Sequence, residues 1–283
     1  MGGRGAPSGL TGANAPQAAP APAPQPQPTS PAPVTPQQAA STPASLTAAQ
    51  THDEIRQYMQ SKYHIQVDPG LDRKIDTDAL RTACAGVEAV IAEFPGVARY
   101  IRTIQGGARG QAIAAVNPRG EIFLNTRMWK TQQSIDGIAQ QNLQSKFHPQ
   151  GTGAAEFTSH EAGHMLNLML INAAVRKADA ARVAQGATPW TKTQRRMASA
   201  ADWNTNRTAT DVIDRAVAAI GASAQQAGLT PPSKAKLRSA VSGYAKQNDA
   251  ETLAECVADY VKNRGQARRL SREVWRILKQ EIQ

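Results

Sequence analysis

The run from His160 to Ile171 reads His-Glu-Ala-Gly-His and continues through Met165, Leu166, Leu168, Met169, Leu170 and Ile171. At helical spacing it is apolar on nearly every side, and such a helix is stable only when other layers cover it all round. The run therefore predicts a core built about one buried helix. Thr158-Ser159 precedes it, and either side chain can cap it.

How much chain is left to cover that helix follows from composition. The first fifty of the 283 residues are dominated by Ala, Pro, Gln, Ser and Thr, with Arg4 as their one charge and no aromatic ring. Prolines from Pro16 to Pro36 are too dense for helix or sheet, so residues 1–49 are expected to form a disordered Pro/Ala-rich tail. Residues 50–283 are expected to form the folded domain, with N-terminal helices and a hairpin over 50–130 and the buried helix and C-terminal helices over 131–283.

The N-terminus lacks the apolar stretch of a secretory leader, and no segment is long and apolar enough to span a bilayer. The expectation is cytoplasmic synthesis without a membrane partner, with virion association or signal-less export left open. Cys84 and Cys256 have no metal-binding spacing and read as small buried hydrophobes. The formal net charge of +10 permits attraction to nucleic acid, acidic substrates or an anionic surface. Much of the excess lies in Arg264, Arg268, Arg269, Arg272, Arg276 and Lys279, on the outer face of an amphipathic C-terminal helix.

Along the chain, helices are expected over Thr51–Tyr63, from Thr77-Asp78 to Pro95-Gly96, and from Val97 to Ile104. Gln111–Val116 and Glu121–Asn125 flank Asn117-Pro118-Arg119-Gly120, a good turn, and predict a hairpin with Glu121–Asn125 at a sheet edge, open to an extended peptide. Gln185–Arg207 reads as a polar loop. Helical stretches follow at Thr210–Ala227, Ser233–Lys246 and Ala250–Asn263. The fold class is thus α+β, mostly helical, with a small sheet against the buried helix.

Residues four apart on a helix share a face, so His160 and His164 can grip a single Zn²⁺ while Glu161 reaches a water on it as general base. A catalytic zinc takes three protein ligands. No histidine follows His164, so the third is expected from a carboxylate among Asp202, Asp211, Asp214, Asp249, Glu251, Glu255 and Asp259. Glu251, Glu255 and Asp259 recur at fours on one helical stripe. If Glu251 meets the metal, Glu255 one turn on can hydrogen-bond a ligating imidazole; the rival assignment exchanges the two.

Tyr244-Ala245 followed by Glu251-Thr252-Leu253-Ala254-Glu255 resembles the C-terminal signature of lethal-factor-like and Pro-Pro-endopeptidase-like zincins (gluzincins), and of zincin-type domains in phage proteins and toxins. Gly120–Asn125 is similar to the strand ahead of their zinc helix, and Phe94-Pro95 to their N-terminal helical part. The resemblance spans about residues 50 to 283. It implies a zincin-like fold, Zn²⁺ on His160, His164 and Glu251, Glu161 as base, and Tyr244 facing the developing oxyanion. It also implies a zinc-dependent endopeptidase of phage or toxin type, with peptide or protein as substrate. The alternative is a non-enzymatic virion or interaction protein that keeps the fold and touches nucleic acid through its basic C-terminal helix. Asp259 reads as a surface or capping charge, and Phe123 and Leu124 as strand core.

Overall fold

The computed structural model describes residues 42–107 and 110–282; the tail expectation for residues 1–41 lies outside them. The core begins inside the expected tail, since Leu46 and Ala49 are buried in it. Among the described residues the helices are α1 (His52–Tyr63), α2 (Thr77–Glu93), α3 (Gln132–Gln144), α4 (Ala154–Ala184), α5 (Lys192–Thr205), α6 (Arg207–Gln226), α7 (Lys234–Val241), α8 (Asp249–Asn263) and α9 (Arg269–Ile282). Four strands accompany them: β1 (Gln66–Val67), β2 (Thr103–Gly106), β3 (Ala114–Val116) and β4 (Glu121–Leu124). The class is α+β and mostly helical. No described helix is long and apolar enough to cross a membrane.

The buried helix is α4, and every residue from Glu156 to Ile171 is buried. It starts earlier than its Thr158-Ser159 pair suggests, at Gly153, whose N–H donates to the Glu156 carboxylate. Thr158 and Ser159 serve packing instead. Their hydroxyls donate to the Ala83 and Gly86 carbonyls of α2, at 2.7 and 2.9 Å. α2 and α8 cover α4 on two sides, and α9 and α6 close over α8.

The sheet runs β1-β2-β4-β3, with β1, β2 and β4 parallel and β3 antiparallel to β4. The expected hairpin is present, but its edge is the other strand. β4 pairs on both sides, so β3 carries the free edge. The expected helix over Val97–Ile104 is instead a 3-10 turn (Pro95–Tyr100) leading into β2, because residues 103–106 fill the slot between β1 and β4. Leu124 is buried in the core, while Phe123 is half-buried.

Three further boundaries differ from expectation. Asp76, rather than Thr77 or Asp78, caps α2 by accepting from Ala79 N at 2.7 Å. Much of the expected polar loop is helix α5, started by a capping box between Thr191 and Gln194 and tied to α4 by Ser199 donating to Asn172 at 3.0 Å. The expected Ser233–Lys246 helix breaks after α7, because Gly243 N and Tyr244 N donate to the carbonyls of Lys146 and Phe147 at 2.8 and 3.0 Å.

α9 lays its apolar face on α6 and α8, and cations on it and in the turn before it serve the fold. Lys279 and Arg264 pair with Glu93, Arg276 with Glu273, and Arg272 donates to the Ala267 carbonyl.

Candidate metal centre

His160 and His164 project from α4 toward the first turn of α8. Asn248 caps α8 by accepting from Glu251 N at 2.9 Å, which fixes Glu251 in that turn and aims its carboxylate back at α4. The three side chains meet. His160 Nε2 lies 3.0 Å from Glu251 Oε2, His164 Nε2 lies 3.3 Å from the same oxygen, and the two Nε2 atoms are 3.1 Å apart.

This donor set fits a metal. Ligands about 2.0–2.1 Å from a tetrahedral ion sit about 3.3 Å from one another, and imidazole with carboxylate suits a first-row divalent ion. The three are grouped closely enough to hold one ion, with both histidines buried and Glu251 half-buried. Glu251 stands with the two Nε2 atoms, and Glu255 lies on the other side of the His160 ring.

Glu255 is fully buried. Its Oε1 lies 2.8 Å from His160 Nδ1, an ion-pair contact whose alignment leaves Nδ1 without a well-directed partner. The same oxygen accepts from His148 Nδ1 at 2.8 Å. A carboxylate on the rear nitrogen of a ligating imidazole fixes its ring and raises its basicity. Burial opposes charge on Glu255, yet His148 and His160 hold its carboxyl down at about 2. Burial likewise opposes charge on His160, but Glu251 and Glu255 outweigh it and raise its pKa well above the usual range. Burial is outweighed at Glu251 too, where His160 and His164 pull the carboxyl far down.

Glu161, one residue past His160, is buried beside the triad. Desolvation pushes its carboxyl up, partly offset by the two neighbouring imidazoles. Tyr244 sits in a 3-10 turn (Tyr244–Lys246), its ring centroid 5.5 Å from that of His160. Burial first, then Glu251, Glu161 and Glu255, raises its phenol, so the hydroxyl stays protonated.

These residues face a cleft of about 310 Å³, walled on one side by Ala112 and β3 and on the other by Trp203, Asn206 and Asn248. The segment leading into β3 is held in place, since Asn125 donates to the Ala112 carbonyl at 2.9 Å and Trp129 Nε1 to that of Ile113 at 3.0 Å.

The remaining carboxylates stand elsewhere. Asp202 is buried, accepting from Thr208 N at 2.9 Å and from Arg207 at the start of α6. Asp211 pairs with Arg215, and Asp214 and Asp249 with Lys234. Asp259 is not at the surface; it is buried and accepts from Arg268 N, just before α9, at 2.8 Å. Cys84 and Cys256 are both free and buried, as expected.

His148, Trp203, Asn206 and Asn248 belong to the site without having been singled out by sequence. Of these only Asn248 carries a readable signal, as a cap three residues before Glu251. Compared with protein-family models, curated proteins and solved structures, the chain gives no match.

Proposed function

We propose that this chain is a zinc-dependent endopeptidase of zincin type. The observation that carries the reading is the convergence of His160 Nε2, His164 Nε2 and Glu251 Oε2 within 3.0–3.3 Å, beside a buried Glu161 at the floor of a cleft. Zn²⁺ held by those three groups supplies a bound water acidified to a pKa of about 7 and a Lewis acid for a peptide carbonyl.

The protein's own residues do the rest. β3 offers its free edge to an extended peptide, so the scissile bond is laid along the cleft. Glu161, its carboxyl pushed up by burial, takes a proton from the attacking water and passes it to the leaving amine. Tyr244, kept neutral, donates to the oxyanion as charge develops there; comparable donors contribute about 2.7–4 kcal/mol. Glu255 and His148 hold the His160 ring in place.

The test is cleavage of a mixed peptide library by zinc-loaded protein beside Glu161→Gln. The expected result is cleavage by the wild type, lost in the variant while its zinc is retained. Equal cleavage by both would remove Glu161 from the chemistry.

A further inference from the structure

The cleft does not end at the metal triad. Each of its three walls continues in one direction. On α4, His164 is followed one turn on by Leu168 and then by Asn172 and Arg176. On α5, Trp203 is preceded one turn back by Ser199 and Ala200. At the sheet, Val116 leads to Pro118 and Arg119 of the hairpin turn. These extensions bound a second groove of about 820 Å³.

Its charge is one-sided. Arg102, Arg119, Arg176, Lys192, Arg195 and Arg196 line it, and no carboxylate does. Among the described residues Arg195 pairs with Asp179, at 2.9 Å, whereas the other five have no carboxylate partner. At the C-terminal end of the chain the arrangement differs, because Arg276 and Lys279 of α9, and Arg264 in the turn before it, are paired within the fold. A surface that leaves its cations unneutralised beside a binding cleft attracts anions into it.

We infer that this groove receives acidic side chains of the peptide being cut, on the side of the scissile bond that crosses the β3–β4 turn. This rests on the peptidase reading of the cleft. At 1.5 Å per helical residue the groove runs from about 6 Å beyond His164, at Leu168, to about 18 Å, at Arg176. An extended peptide advances about 3.3 Å per residue, so Asp or Glu roughly two to six residues from the cut reaches the arginines. A nucleic-acid strand would be attracted by the same charge. Continuity with the cleft along all three walls favours a segment that also passes the metal triad.

The experiment uses the full chain loaded with zinc. Matched peptides carry Glu, Gln or Lys two to six residues from the cleaved bond, on either side. Their kcat/KM is measured at low and high salt, and their affinity for the Glu161→Gln protein by fluorescence anisotropy, alongside a single-stranded oligonucleotide. Exposed ion pairs each give up to about fivefold, so two engaged residues give roughly a tenfold preference for Glu over Lys. That preference is expected on one side only, shrinking at high salt, with the Glu-to-Lys ratio falling in Arg176→Gln/Arg196→Gln. Cleavage without charge preference would overturn the groove assignment and leave the peptidase reading intact. Tight, salt-sensitive binding of acidic peptides with no peptide cut would support the groove and remove the peptidase reading. An oligonucleotide that binds more tightly than every acidic peptide and displaces them would overturn the inference in favour of nucleic acid.

Discussion

A Cβ placed on Gly163 would lie 2.9 Å from the Ala254 Cα, closer than packed side chains come. The glycine between the two histidines is therefore what lets α8 touch α4. That contact carries Glu251 and Glu255, on either side of Ala254, to the front and back of the His160 ring.

Gly163→Ala should push the two helices apart. Overpacking a core of this kind costs about 1–3 kcal/mol, and here the displacement also moves a ligand. The expected outcome is a lower urea midpoint together with weaker zinc binding in a chelator competition. Unchanged metal affinity would mean that the helix contact does not set the site.

Glu255→Gln retains the shape of the side chain but removes the charge that faces His160 and His148. Zinc affinity should fall about 10–100-fold, as for other carboxylates behind a ligating imidazole. His148→Phe should act in the same direction and less strongly, since it leaves the Glu255–His160 contact. Chelator competition on the three proteins in parallel gives the order.

Tyr244→Phe should leave zinc content intact and lower kcat about 10²-fold with little change in KM, because the phenol acts on charge that develops only in the transition state. A rise in KM alone would make Tyr244 a binding contact.

Glu93 ties the end of α2 to Lys279 of α9 and to Arg264. Burial works against its charge, but these cations outweigh it and lower its carboxyl below the usual range. A carboxyl depressed on folding stabilises the protein above its unfolded value of about 4.3, and that stability is lost as pH falls through the lower folded value. Glu93→Gln should therefore be less stable than wild type near neutrality, by less than about 1 kcal/mol for a pair this exposed. The gap should close in acid. Urea titrations of both proteins from neutral pH down to about pH 3 check the sign.

The sequence made the buried helix legible because two signals coincide there, an all-round apolar run and an i, i+4 histidine pair. Glu251 and Glu255 were legible as a stripe, though only the Asn248 cap and the α4–α8 contact decide which of them meets the triad. The expected helix from Val97 ran two residues into β2, to Ile104, whereas pairing with β1 and β4 makes Thr103–Gly106 a strand. Hairpin strands can be recognised locally, but the edge is a property of the whole sheet order, so β3 and β4 were exchanged. His148 is invisible in sequence because its partner Glu255 is 107 residues away.

The central claim is a His-His-Glu zinc site, and metal content by elemental analysis tests it most directly, on wild type beside His160→Ala and Glu251→Ala. The account predicts one zinc per wild-type chain, lost or sharply weakened in both variants. Wild-type protein that neither contains zinc nor takes it up on addition would contradict it, as would a Glu251→Ala protein that binds zinc as tightly as wild type.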